Sequence, residues 1–220
     1  MARMARVVVP GIPHHIVQRG NRRQPVFFTD QDYRFYLYLL KKETGNANVE
    51  IWAYCLMPNH VHLILVPSDE DGLRKALAET HRQYTKEINR REGWSGYLWQ
   101  GRFQSYPMDE AHLLRAIRYI ELNPVRAGLV VTPDLYPWSS AILHINRQEN
   151  SLINIIPVTS LVDDYQGYLA DGIDDKLFDQ LEYHLSTGRP FGDPVFLARV
   201  EEITGRSLIK QKPGPKRGDN

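Results

Sequence analysis

The spacing of apolar residues divides the first 130 positions into short strands and amphipathic helices. The pattern predicts strands at 14–19, 48–57, 60–66 and 102–106, and the second of these has apolar residues at alternate positions. Apolar residues three and four positions apart predict helices at 30–44, 68–92 and 109–122. The first six of these seven elements follow the split βαβ order of a ferredoxin-like fold. We therefore expect an α+β domain whose antiparallel sheet carries its helices on one face.

The strand predicted at 48–57 is the longest of the four. Alternate side chains of a regular strand share a face. Five residues should therefore point to one side of the sheet: Val49, Ile51, Ala53, Cys55 and Met57. The pair Pro58-Asn59 is a turn signal, so this strand and the next should form a hairpin.

The pattern weakens after position 131, and this change suggests the domain organisation. We expect a main domain at 1–145 and a small, mostly helical C-terminal extension at 146–208, with short helices at 176–186 and 194–204. A flexible basic tail should occupy 209–220, because it contains Lys-Pro-Gly-Pro-Lys-Arg.

Charge is uneven along the chain, although the formal net charge is only +1. Residues 1–130 carry 18 Lys and Arg against 13 Asp and Glu, whereas residues 131–199 carry 4 against 10. A basic body and a basic tail suggest an anionic partner such as nucleic acid.

Two further observations concern the cellular setting. The single cysteine excludes a disulfide framework within one chain and fits a reducing compartment. The longest apolar run, within 61–66, is far too short to span a bilayer. We expect a cytoplasmic, nucleoid-associated protein with no membrane partner.

The motif His60-Val61-His62 is the sharpest chemical signal. On a strand the two imidazoles project to one face, while Val61 points the other way into the core. Two imidazoles at this spacing form half of a metal site. A pair of surface histidines without a ligand is the simpler explanation of the motif on its own.

A second signal lies on the helix predicted at 109–122, which should begin at the N-cap Asp109 and stop before Asn123-Pro124. A polar stripe at helical spacing contains His112, Arg115, Tyr119 and Asn123. Tyr119 could serve as a nucleophile, Arg115 could hold phosphate oxygens, and Asn123 could complete a metal site. Without the histidine pair, ordinary packing would be the better explanation of Tyr119.

Several sequence blocks resemble the single-tyrosine "HUH" transposases, in which two histidines flank a bulky apolar residue, and in particular the REP-associated tyrosine transposases of bacteria. The blocks are Gly11-Ile-Pro-His-His-Ile-Val-Gln-Arg-Gly-Asn21, Tyr54-Cys-Leu-Met-Pro-Asn-His-Val-His-Leu-Ile-Leu-Val66, Leu98-Trp-Gln-Gly-Arg-Phe103 and Tyr119-Ile-Glu-Leu-Asn-Pro-Val-Arg-Ala-Gly-Leu-Val130. Their shared order covers about residues 7–145.

The resemblance implies a Mg²⁺- or Mn²⁺-dependent enzyme that nicks single-stranded DNA beside a hairpin and stays attached to its 5′ phosphate through a tyrosine. His60 and His62 fall on the metal histidines and Tyr119 on the nucleophile. Related insertion-sequence enzymes have a glutamine as third ligand where this chain has Asn123, which is one methylene shorter. A palindromic DNA partner and a monomer are expected, although a dimer that exchanges helices is possible.

Basic side chains outside the motifs are candidate DNA contacts. Three follow the first strand and could hold the DNA backbone, and three belong to the tail: Arg19, Arg22, Arg23, Lys212, Lys216 and Arg217. Two other function classes remain open, a DNA-binding regulator without turnover on the same fold and a ferredoxin-like RNA-binding module. In the latter, Trp52 and Tyr54 would be the exposed sheet aromatics.

Overall fold

The computed structural model describes residues 6–173 and 192–208, together with residues 176, 178, 179, 181, 189 and 190. Its strands are β1 (His14–Arg19), β2 (Val49–Met57), β3 (His60–Pro67) and β4 (Gln104–Pro107). Its helices are α1 (Asp30–Asn46), α2 (Gly72–Glu92), α3 (Glu110–Arg126), α4 (Ala141–Ile145), α5 (Ile156–Thr159), α6 (Tyr165–Ala170) and α7 (Pro194–Thr204). Short 3₁₀ turns lie at Asn21–Arg23 and Pro133–Leu135.

The four strands form one antiparallel sheet in the order β2-β3-β1-β4. β1 lies in the interior, paired with β3 on one side and β4 on the other. This is the arrangement that the split βαβ pattern predicts, so the ferredoxin-like fold class is confirmed.

Helices cover both faces of the sheet, so the expectation of helices on one face is wrong in part. α1 and α2 pack over the face that carries Leu63 and Leu65, as predicted. α3 packs over the opposite face, against Ala53, Cys55 and Ile64. The physical reason is that both faces of β2 and β3 are apolar, which is typical of strands buried on both sides.

A β-bulge in β2 corrects the predicted alternation along that strand. Ile51 pairs with Leu65 and Ala53 pairs with Ile64, so Trp52 is an extra residue in the ladder. An extra residue reverses the side to which later side chains point. Val49 and Ile51 therefore belong to the α1–α2 core. Ala53, Cys55 and Met57 belong to the α3 core.

Helix α3 continues beyond its predicted end and includes Pro124 in its last turn. Proline there removes one N–H donor. The backbone nevertheless closes around it, because Ala127 N–H donates to the Asn123 carbonyl and Leu129 N–H to the Pro124 carbonyl, each at 2.9 Å. Asn123 is therefore helical and lies one turn after Tyr119.

The segments that follow α3 contain short helices, and α7 has the predicted bounds. Val158, Tyr165 and Leu169 pack in the same apolar cluster as α3, and Val200 of α7 packs against the N-terminal Val7. Most of the helix predicted at 176–186 and the tail from 209 lie outside the described residues. Within the described residues, no helix has both the length and the apolar character needed to cross a bilayer.

A fully buried carboxylate anchors α3 to the segments after it. Glu121 accepts hydrogen bonds from Ser140 Oγ at 2.6 Å, His144 Nδ1 at 2.7 Å and Tyr165 Oη at 2.8 Å. A buried charge is tolerated only when it is paired or hydrogen-bonded in this way. Because Glu121 lies two residues after Tyr119, this network also restrains the helix that carries the phenol.

Replacing Glu121 with alanine should lower the free energy of unfolding by about 3 kcal/mol or more, because three buried donors lose their acceptor. Urea unfolding followed by circular dichroism measures this change. Glu110→Ala, at the exposed start of the same helix, is the control and should cost less than about 1 kcal/mol. Equal losses in the two variants would contradict the anchoring role of Glu121.

Candidate metal and nucleophile site

The two motif histidines lie at the start of β3 and on the face covered by α3. Their ring centroids are 4.8 Å apart, and His62 has no exposed surface. Val61, between them, packs in the α1–α2 core on the other face. The two imidazoles therefore share one face of the sheet, as predicted.

Each histidine uses its Nδ1 atom in a hydrogen bond within the protein. His60 Nδ1 lies 2.6 Å from Asn59 Oδ1, and His62 Nδ1 lies 2.9 Å from His15 Nε2. His62 Nε2 is buried and has no hydrogen-bond partner. A buried nitrogen without a partner is the feature expected of a ligand atom, so these residues fit a divalent cation.

Burial keeps the two rings neutral. It lowers the pKa of His60 from its usual 6.5 to about 3, and the Arg19 guanidinium contributes to the decrease. The pKa of His62 lies well below its usual value, first through burial and then through the nearby His60, His15 and Arg19. A neutral imidazole has a lone pair for a metal ion, which a protonated imidazole lacks.

Tyr119 projects from α3 toward the same histidines. Its ring centroid lies 5.4 Å from that of His62 and 6.2 Å from that of His15. Only 1% of the residue is exposed. Part of the cover is Phe178, whose ring centroid lies 5.0 Å from that of Tyr119 and 3.9 Å from the Arg126 guanidinium carbon.

The candidate third ligand, Asn123, is less defined than the two histidines. Asn123 is 8% exposed and follows Tyr119 at the i+4 position, so both are on one side of α3. In the described part of the chain, no three His, Cys, Asp or Glu side chains come together in a way that could hold a metal. The two histidines alone would supply only part of a metal site, and the roles of the histidines and of Asn123 as ligands stay predictions.

The arginines after the first strand lie close to the histidines along the backbone. Arg19 ends β1 and is paired in register with His60. Arg22 and Arg23 are exposed in the 3₁₀ turn and have φ angles of 54° and 60°. A left-handed backbone is uncommon for residues other than glycine, and two in succession indicate a constrained turn.

The other predicted DNA contacts lie elsewhere or outside the described residues. Arg115 is exposed and lines a hollow of about 450 Å³ together with Arg118, Leu161 and Tyr168. Arg115 is four residues before Tyr119 in the sequence, but it lies beside the segments that follow α3. The three predicted tail contacts fall outside the described residues: Lys212, Lys216 and Arg217.

Three residues of the site escaped the sequence reasoning: His15, Asn59 and Phe178. His15 was recognisable in principle, because it precedes Val17 by two on β1 and Val17 is paired with His62. Diagonal neighbours on one face of a sheet are within reach of each other. Phe178 is separated from Tyr119 by 59 positions and carries no motif signal.

Comparison with known proteins agrees with this fold. The sequence profile of the family described as "Transposase IS200 like" matches residues 8–123, and the chain belongs to that family. A curated relative in Haemophilus influenzae, named as a REP-associated tyrosine transposase, is 29% identical over 102 residues. The match covers 41% of this chain and 58% of the length of that relative.

Two solved structures are also similar. One is described as a REP-associated tyrosine transposase bound to a REP hairpin, with a TM-score of 0.58 and 23% identity over 70% of this chain and 90% of the other. This likeness supports the fold. A transposase structure from Deinococcus radiodurans R1 matches with a TM-score of 0.40 and 20% identity, over 55% of this chain and 96% of the other. The resemblance inferred from the sequence blocks is confirmed.

Replacing Phe178 with alanine should expose Tyr119, because an aromatic side chain in contact with its ring is removed. We expect faster nitration of Tyr119 by tetranitromethane, measured by peptide mass spectrometry. Phe28→Ala is the control, since Phe28 is 41% exposed and contacts Trp94 instead. An unchanged rate of nitration in Phe178→Ala would contradict the proposed cover.

Proposed function

We propose that this protein nicks and rejoins single-stranded DNA through a covalent bond between Tyr119 and a 5′ phosphate. The observation that supports this proposal is the approach of the Tyr119 ring to within 5.4 Å of the His62 ring. A phenol and a pair of neutral imidazoles on one face are the groups that cation-assisted phosphoryl transfer requires.

In the proposed reaction Tyr119 supplies the nucleophile. Its phenolic oxygen forms a bond to phosphorus while the bond between phosphorus and the 3′ oxygen breaks. The phenolic proton passes to a base or to solvent, and the 3′ oxygen takes up a proton and leaves as a hydroxyl. The phosphotyrosine retains a reactive ester, so a 3′ hydroxyl can later attack it and release Tyr119.

His60 and His62 would hold a divalent cation, Mg²⁺ or Mn²⁺, with Asn123 as the candidate third ligand. When bound, such a cation polarises the phosphate and offsets its developing charge. The chain itself contributes preorganisation, because β3 fixes the spacing of the imidazoles and α3 presents the phenol to them.

The substrate proposed here is a DNA hairpin of the repetitive extragenic palindrome type, bound by a monomer in the cytoplasm. The names of the relatives support this choice of substrate. Arg19, Arg22 and Arg23 are the proposed contacts to the DNA backbone close to the scissile bond, and Arg115 and the tail lysines and arginine are contacts further away.

The RNA-binding module has little structural support. Such modules stack unpaired bases on an exposed sheet face, whereas both faces of this sheet are covered by helices. Tyr54 is only 5% exposed. The regulator without turnover keeps one supporting observation, which is the cover of Phe178 over Tyr119.

Tyr119→Phe should abolish the covalent adduct and reduce nicking by about 10³-fold or more, because the nucleophilic oxygen is lost. Hairpin affinity should change by less than about 3-fold, since the ring remains. Adduct formation is measured on a denaturing gel with a labelled hairpin oligonucleotide. Tyr97→Phe, at a tyrosine that is 87% exposed, is the matched control. Undiminished nicking by Tyr119→Phe would reject the proposal.

Replacing both His60 and His62 with alanine should remove metal-stimulated nicking, with a loss of about 100-fold or more. Chelation with EDTA should inactivate the wild-type protein, and added Mn²⁺ should restore it. His112→Gln is the control, because the His112 ring is hydrogen-bonded to the Asp109 side chain at the start of α3. Nicking that persists in EDTA would exclude the metal role.

A further inference from the structure

The side chain of Asn59 connects the arginine turn to the first motif histidine. Asn59 Nδ2 donates to the backbone carbonyl of Arg23 at 3.1 Å. Asn59 Oδ1 lies 2.6 Å from His60 Nδ1. A backbone carbonyl has no proton and can only accept. The amide must therefore present its NH₂ group to Arg23 and its oxygen to His60.

This orientation determines the protonation of the His60 ring. The amide oxygen only accepts, so His60 Nδ1 must carry the proton of that hydrogen bond. In the neutral ring only one nitrogen is protonated, so His60 Nε2 has a free lone pair. The Arg23 carbonyl can only accept, so it fixes the orientation of the Asn59 amide. The Asn59 amide in turn selects one tautomer of His60.

The backbone holds that carbonyl in place. Gly20 N–H donates to the Asn59 carbonyl and Val26 N–H donates to the Pro58 carbonyl, both at 2.8 Å. Gly20 accommodates no side chain, because an added Cβ would lie 2.3 Å from the Gln24 carbonyl oxygen. Backbone hydrogen bonds on both sides of Arg23 therefore attach the 3₁₀ turn at Asn21–Arg23 to the β2–β3 turn.

A second pair of rings gives the same result for His62. His62 Nδ1 and His15 Nε2 are 2.9 Å apart, so one of them carries a proton. If His15 were the donor, the proton of neutral His62 would be on Nε2, which is buried without an acceptor. A buried N–H without an acceptor is costly, whereas a bare lone pair there can bind a cation. The favoured arrangement has His62 Nδ1–H donating to His15.

We propose that Asn59 and His15 are positioning residues that hold His60 and His62 as Nδ1–H tautomers, so that both Nε2 atoms are available to one divalent cation. Through Asn59 the turn that carries Arg22 and Arg23 is joined to a metal ligand. The metal role of the histidines rests on the proposed function, whereas the tautomers themselves can be measured in the metal-free protein.

Long-range ¹H–¹⁵N correlation spectra of the metal-free protein, labelled with ¹⁵N-histidine, test the proposal. We expect pyrrole-type Nδ1 and pyridine-type Nε2 shifts for both His60 and His62. Asn59→Ala should convert His60 to a mixture of tautomers and leave His62 unchanged. Asn154→Ala is the matched control, because Asn154 also donates one hydrogen bond and accepts one on the surface, and it should change neither ring.

The His15 variants form the complementary arm. His15→Phe should convert His62 to a mixture of tautomers. His15→Gln should preserve the single tautomer, because the glutamine oxygen can accept the same hydrogen bond. Asn59 is partly exposed, so its truncation leaves no buried cavity. The Asn59 arm therefore tests the proposal even where His15→Phe does not fold.

Mn²⁺ affinity, measured by electron paramagnetic resonance of the free ion, provides the second readout. Asn59→Ala should weaken binding by about 10- to 100-fold, the usual effect of losing a partner of a metal ligand. Wild-type tautomers that persist in Asn59→Ala would overturn the inference. Expected tautomers in a protein that forms no DNA adduct would instead contradict only the proposed function.

Discussion

Antiparallel pairing of β1 with β3 is the constraint on which the candidate site depends. The pleat of β3 sends His60 and His62 to one face and Val61 to the other, where it is buried. The register of β1 places Val17 opposite His62 and Arg19 opposite His60. His15 reaches His62 from the same face. A shift of one residue in this register would turn the imidazoles away from α3 and into the α1–α2 core.

Helix α3 provides the other half of the site. It extends through Pro124, and the buried carboxylate of Glu121 fastens it to three side chains from the segments that follow. These contacts hold the Tyr119 ring beside His62. The segments after α3 thus have two effects on Tyr119, the proposed nucleophile, since their polar groups position its helix and Phe178 covers its ring.

Local rules were sufficient for the order of the first seven elements and for the shared face of the histidine pair. They failed where a residue's effect depends on a distant part of the chain. The bulge at Trp52 reverses the faces of β2, and Pro124 is tolerated because the chain after it closes the helix. Neither feature produces a periodic pattern of apolar residues that sequence reasoning could detect. Likewise, Asn59 looked like a turn residue only, and its link to the Arg23 carbonyl becomes visible only once the two turns are adjacent.

The central claim is that one phenol, held beside two neutral imidazoles, forms the bond to DNA. The chain has 12 tyrosines, so the identity of the attached residue is a demanding test. The adduct formed with a hairpin oligonucleotide in Mn²⁺ can be digested with nuclease and protease and sequenced by tandem mass spectrometry. We predict a nucleotide attached to the peptide that contains Tyr119, and attachment to any other tyrosine would contradict this assignment.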